Sequence, residues 1–235
     1  MNAEFYTGNR KKFLEKLEEG SVVLLHSGIL PVKSNDQNMH PFSVNRNFYY
    51  LTGIETENVW LVLTKTATGS AEALFIDQPD EFLIKWNGKM LTKEEASAKS
   101  GLAASAVKYM QDMDRYVAGQ LSASRMMSSV ERVYFAFDRL SMNAAPTPAE
   151  QYALRIREKF PAIEVKSCSR LLASLRAIKT PEEVACIRKA GDVTIEALRQ
   201  MLRTAKPGEF EYQWAADFEH YVARAGMRLG FTTIA

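Results

Sequence analysis

Residues 173–191, ASLRAIKTPEEVACIRKAG, hold the strongest helix start in the chain and divide the sequence in two. Thr180 can cap the helix, Pro181 suits its first turn, and Glu183 can reach back to the N–H of the cap. Glu182 and Glu183 also lie at the positive end of the helix dipole. Apolar residues then recur with helical spacing at Val184, Ile187, Ile195, Leu198 and Leu202, until Lys206-Pro207-Gly208 stops the pattern. Upstream, Leu171, Leu172 and Leu175 form a shorter apolar face ending in Arg176 and Lys179. A connecting helix therefore hands over to a long, newly capped one, which is how a second domain begins. The expected division is one domain over residues 1–170 and a linker helix with the start of a second domain over 171–235.

The first part alternates strand and helix signals. Residues 9–19 read as a helix stopped by Gly20, and Ser21-Val22-Val23-Leu24-Leu25-His26 as a strand buried on both faces. Residues 28–38 read as a loop, and Phe48-Tyr49-Tyr50-Leu51 as an aromatic strand closed by Thr52-Gly53. Two apolar strands, 59–63 and 72–76, flank a polar turn. Thr92-Lys93-Glu94-Glu95 is a capping box whose helix ends at Gly101. Further helices are expected over 112–123 and 147–159, and strands over 132–137 and 163–165. This alternation argues for an α/β layer with a mostly parallel or mixed sheet. The second part reads differently, with helices over 181–205 and 209–225 and a strand from Phe231 in which the sequence stops. Two amphipathic helices and one unfinished strand bury little surface. This domain is expected to be incomplete.

The composition, 46% hydrophobic and 25% charged, supplies a core of ordinary size for a soluble globular protein. A net charge of +2 gives no electrostatic ground for binding nucleic acid or an anionic membrane surface. No apolar run approaches the roughly 20 residues of a membrane span. Met1-Asn2-Ala3-Glu4 has no basic segment leading into an apolar one, so no signal peptide is expected. Cys168 and Cys186 lack metal-site spacing and are expected to be reduced thiols in a cytoplasmic protein.

The residues alone assemble no catalytic constellation. There is no Gly-rich phosphate loop and no Gly-x-Ser-x-Gly elbow. His26 ends a buried strand and reads as a structural histidine, and His40 precedes Pro41 in a loop. Asp217 and His220 share a helix face while Glu219 points elsewhere, and a two-metal site needs ligands from several elements. Cys186 beside Ile187 reads as packing. Trp86, in Lys85-Trp86-Asn87-Gly88-Lys89, has two readings that the residues leave open: a lid over a small core, or an anchor on a contact surface.

Three segments in order resemble one family. His40-Pro41-Phe42-Ser43-Val44-Asn45-Arg46-Asn47-Phe48-Tyr49-Tyr50-Leu51-Thr52-Gly53 is similar to the signature of the N-terminal domain of aminopeptidase P (Xaa-Pro aminopeptidase), a relative of prolidase and creatinase. Trp86-Asn87-Gly88-Lys89 resembles that domain's Trp-x-Gly-Arg segment, with Lys89 for the commoner Arg. Residues 174–191, with Lys206-Pro207-Gly208 and Glu211-Tyr212, resemble the family's interdomain linker and first catalytic-domain helices. The resemblance implies a creatinase/prolidase-like mixed sheet flanked by helices, followed by the opening of a truncated pita-bread domain. It implies removal of the residue preceding proline from peptides, in a cytoplasmic homodimer or homotetramer. Two divalent metal ions, usually manganese, would be held by two Asp, one His and two Glu. In the family these ligands all follow the strand beginning near Phe231, so no position here inherits a metal role, and this chain alone is expected to be inactive. Trp86 and Asp36, the latter in Ser34-Asn35-Asp36, match residues that approach the substrate across a subunit interface. The N-terminal domain would then serve oligomerisation and shape the active-site entrance. Two alternatives remain beside this reading: a prolidase acting on dipeptides, and a non-catalytic binding or scaffold protein with a pita-bread-like domain.

Overall fold

The computed structural model describes residues 1–35, 38–122, 130–137, 139 and 141–234. The chain divides into two compact units, Met1–Ala177 and Ile178–Ala235.

In the first unit, helix α1 (Ala3–Lys16) starts where the Asn2 side chain accepts the Phe5 N–H at 3.1 Å. That cap sets the start six residues earlier than the sequence pattern suggested. Strand β1 (Ser21–His26) is buried along its whole length. Then come a small hairpin of β2 (Val32–Asn35) and β3 (Asn38–Met39), where a loop was expected, and helix α2 (Arg46–Thr52). Strands β4 (Trp60–Thr66) and β5 (Gly69–Ile76) lead to helices α3 (Glu81–Asn87) and α4 (Lys93–Ser100). Strand β6 (Val107–Tyr109), helix α5 (Met113–Leu121), strand β7 (Arg132–Phe135), helix α6 (Pro148–Lys159), strand β8 (Glu164–Ser167) and helix α7 (Ser169–Ala177) complete the unit. Helix α7, read from sequence as a linker, places Leu172 in the first unit's core.

The six main strands form one mixed sheet in the order β6-β5-β4-β1-β7-β8. β4 runs antiparallel to both β1 and β5, while the β5/β6, β1/β7 and β7/β8 pairs are parallel. Helices cover both faces. Val23 and Leu25 of β1 pack with Phe13 of α1, Phe48 of α2, Ala96 of α4 and Leu172 of α7. Val22 and Leu24 point the other way, into a core with Val117 of α5 and Ile156 of α6. A central strand covered on both faces has no polar side to show, which is why β1 reads as a continuous apolar run. The α/β mixed sheet expected from the alternating pattern is the one observed.

One element is of the wrong type in the sequence reading. Phe48-Tyr49-Tyr50-Leu51 is helical. Asn45 Oδ1 accepts the N–H groups of Asn47 and Phe48 at 2.9 and 3.2 Å, and Gly53 closes the helix at φ 69°. Phe48 and Leu51, three residues apart, then share one buried face. Two good caps outweigh the strand preference of the aromatic residues between them. A Cβ at position 53 would also run into the Tyr6 ring.

Arg10 ties these layers together. Its side chain has no exposed surface; Nε pairs with Glu72 at 3.0 Å, and Nη1 donates to the carbonyls of Leu51 and Ser100, both at 2.8 Å. Those carbonyls belong to the last turns of α2 and α4, where backbone acceptors lack helical partners.

The second unit contains helices α8 (Pro181–Thr204) and α9 (Glu211–Arg224) packed on each other. The reciprocal cap at Thr180 and Glu183 forms as expected, with bonds of 3.3 and 2.8 Å. Thr204 Oγ1 donates to Asp217 at 2.6 Å across the helix pair. Phe231–Ile234 do not form the expected strand. A strand satisfies its backbone only by pairing, and among the described residues of this unit there is no strand to pair with. Ile187, Ile195, Leu198 and Leu202 of α8 are exposed. Among the described residues, no helix is long and apolar enough to cross a membrane.

Candidate functional site

Three strand ends meet at one side of the sheet. His26 ends β1 opposite Trp60 at the start of β4, and Trp60 lies opposite Phe75 near the end of β5. Beyond them the chain turns at Asn58, which has φ 54°, the one non-glycine residue with positive φ among those described. Asparagine tolerates this left-handed conformation better than most residues. Its backbone N–H donates to Gly28 O at 2.9 Å, and its Nδ2 donates to Asp77 Oδ1 and Oδ2 at 3.0 and 2.9 Å.

His26 completes this group from beneath. The Gly28 N–H donates to Nδ1 at 3.2 Å, so the neutral ring carries its proton on Nε2, 3.5 Å from Asn58 Oδ1. Burial pushes the His26 pKa down to about 4, against the opposing influence of the Asn58 hydrogen bond and the Asp77 charge. Both ring nitrogens are engaged, and the ring lies 4.6 Å from the Trp60 ring. His26 is a structural histidine, as its place in the sequence suggested.

Above this group opens a cleft of about 970 Å³, walled by Ile29, Asn58, Asp77, Leu83, Lys89 and Glu95 among others. Its outer wall is α3. Asp80 caps this helix by accepting the Phe82 and Leu83 N–H groups at 2.8 and 3.0 Å, and Gly88 ends it at φ 87°. None of its residues is buried. Trp86 is 67% exposed and touches Phe82, with ring centroids 6.3 Å apart. It is not a lid over a core. After the helix, Lys89 forms an ion pair with Glu95, and this hydrogen bond with the Thr92 N–H holds the Glu95 carboxyl below its ordinary pKa. A second cleft, of about 290 Å³, lies beyond the ends of β1 and β7; among the described residues, His26 is the one ionisable residue lining it.

Asp36 lies outside the described residues. Asp217 and Glu219 accept hydrogen bonds from Thr204 and Thr233. Among the described residues, no group of three or more His, Cys, Asp or Glu could hold a metal ion. The described residues therefore offer no donor set that fits a two-metal centre. Sequence reasoning missed the Asn58 junction and α3. A residue joining Gly28 to Asp77 announces itself only once the sheet brings positions 26, 58 and 77 together.

The family model described as aminopeptidase P, N-terminal domain, matches residues 6–128, more than half of the chain. The Xaa-Pro aminopeptidase of Haemophilus influenzae is 24% identical over 217 residues, covering 92% of this chain and 46% of its own length. A solved structure from Bacillus anthracis assigned to aminopeptidase P superposes with a TM-score of 0.90 at 29% identity, covering 97% of this chain and 53% of its own. A zinc-substituted Escherichia coli aminopeptidase P in complex with product shares the fold, with a TM-score of 0.80 at 23% identity, over 96% of this chain and 50% of its own. The chain thus spans about half the length of the relatives it matches. By the match over residues 6–128, this chain belongs to the aminopeptidase P N-terminal domain family.

Proposed function

We propose that this chain is the N-terminal part of a metal-dependent Xaa-Pro aminopeptidase, which removes the residue preceding proline from peptides. The observation that carries the reading is the similarity to Xaa-Pro aminopeptidases over nearly the whole chain, in sequence and in fold. Divalent metal, with manganese as the expected ion, would be held by a part of the parent protein beyond these residues. Metal there would activate water and polarise the scissile carbonyl. The first unit would serve assembly into a homodimer or homotetramer and shape the entrance to the active site. Trp86 and Asp36 would contact substrate across the subunit interface. The exposure of Trp86 on α3 supports its half of this assignment: a rigid aromatic ring offers an apolar wall at little entropic cost. The reading includes the cytoplasmic location expected from sequence.

The test uses the full-length parent protein and the 235-residue chain, each with Mn²⁺, on an Xaa-Pro-Yaa peptide and an Xaa-Pro dipeptide. The parent is expected to cleave the longer peptide and to lose activity with chelator, while the 235-residue chain shows no turnover. Trp86→Ala in the parent is expected to lower kcat/KM by on the order of 1–3 kcal/mol of transition-state stabilisation with metal content intact. Cleavage confined to the dipeptide would favour a prolidase. A parent inactive on both substrates, or chelator-sensitive turnover by the purified 235-residue chain, would overturn the reading.

A further inference from the structure

Helix α3 is held by its ends. No side chain of the helix is buried, so its packing alone does not fix its direction. At its C-terminal end the anchor is the exposed Lys89–Glu95 ion pair, a weak constraint in water. At its N-terminal end the chain leaves β5 through Asp77, three residues before the Asp80 cap, and Asp77 is gripped by the Asn58 amide with two bonds to the carboxylate.

Asn58 is itself held from two sides. Its backbone donates to Gly28, and its Oδ1 faces His26 Nε2, so the amide can present only its NH₂ group to Asp77. On the same loop, Glu57 Oε2 accepts the Leu30 N–H at 2.7 Å, and Ser27 Oγ accepts the Val59 N–H at 2.9 Å. The junction is thus tied into the sheet, whereas the other ties at the ends of α3 among the described residues are the Asp80 N–H to Met90 Sδ contact at 3.4 Å and the exposed Lys89–Glu95 pair.

We propose that Asn58 is a positioning residue for the peptidase reaction: through Asp77 it sets the direction in which α3 leaves the sheet and so places the Trp86 ring for substrate. This rests on the assignment of Trp86 to substrate contact made above. Asn58 acts on the reaction through α3.

The experiment uses the full-length parent protein and reads kinetics together with amide exchange. Asn58→Gly removes the amide side chain while accepting the positive φ, so the turn survives. The expected result is a fall in kcat/KM of about tenfold, chiefly through KM. Exchange over residues 82–87 should accelerate about tenfold, with the β4 amides as protected as before. Combined with Trp86→Ala, Asn58→Gly should add no further kinetic loss, because both act on one group. Asn58→Asp sets a carboxylate against Asp77 and should loosen α3 as well. The pair Asn58→Asp with Asp77→Asn restores a donor facing an acceptor and should restore protection of residues 82–87. Unchanged exchange in Asn58→Gly, full additivity with Trp86→Ala, or no recovery in the exchanged pair would each overturn the proposal. Wild-type kinetics in Trp86→Ala alone would instead remove the assignment of Trp86, and the exchange measurements would still decide whether Asn58 places α3.

Discussion

Replacing Arg10 by methionine is expected to destabilise the fold by about 3–5 kcal/mol, a large share of the roughly 5–15 kcal/mol that holds a domain together. The substitution keeps much of the apolar stem and removes the guanidinium. The carbonyls of Leu51 and Ser100 then lose their donor in a place water does not reach, and Glu72 loses its partner. The penalty arises mainly from these stranded groups, because a buried acceptor without a donor forfeits its hydration for nothing. Arg10→Lys should fall between, since one ammonium can keep the charge near Glu72 without spanning three elements. Urea unfolding of the three proteins measures the difference. A loss under about 1 kcal/mol for Arg10→Met would show that the last turns of α2 and α4 find other donors.

Acid should weaken the protein through His26 before its carboxylates titrate. The folded pKa is about 4 against an ordinary 6.5, so between these values the unfolded chain takes up a proton that the folded chain refuses. Stability therefore rises with pH across this window; it is fully present above about 6.5 and is lost as pH falls towards 4. At 1.36 kcal/mol per pH unit the loss is about 3 kcal/mol. Physically, the imidazolium would bring a charge into the Trp60-lined pocket, and Nδ1, once protonated, could no longer accept the Gly28 N–H. Unfolding free energy measured from pH 7.5 to 4 should slope in the wild type and lie nearly flat in His26→Gln. Parallel slopes in the two proteins would place the acid sensitivity elsewhere. Glu150, whose pKa is lowered to about 2 chiefly by its bonds to Arg139 and the Thr147 N–H, adds its own loss only at lower pH, as its carboxylate is protonated.

What the sequence disclosed follows from which interactions are local. The caps at Thr92 and Thr180 are decided by residues within one helical turn, and both form as read. The burial of β1 was legible because a strand covered on both faces must be apolar throughout. Residues 48–51 were misread because aromatic composition was weighed above Asn45 and Gly53, the local signals that carry the helix. Helix α3 escaped because its apolar residues face solvent and show no buried stripe. Arg10 gives no warning at all: an arginine on a helix is ordinarily solvated, and only α2, α4 and β5 arriving around it make it a core residue. Of the candidate site, Trp86 was singled out by its company in the sequence, whereas Asn58 depends on positions 28 and 77 folding against it.

The mixed sheet also dictates an order of assembly. β4 and β5 meet across a tight turn, with Thr66 opposite Gly69, so their ladder closes a very short loop. β1 joins β7 by pairing Ser21 with Arg132, which requires most of the first unit's chain to be gathered before any bond forms. Loop-closure entropy must be met before distant pairings return anything, so such strands pair late and slow the folding of the whole. During refolding, pulsed hydrogen exchange should find the β4 and β5 amides protected ahead of those in β7 and β8, and simultaneous protection would contradict this order. Until β7 arrives, one side of β1 is an open apolar edge, and that interval is when the newly made chain is most exposed to aggregation.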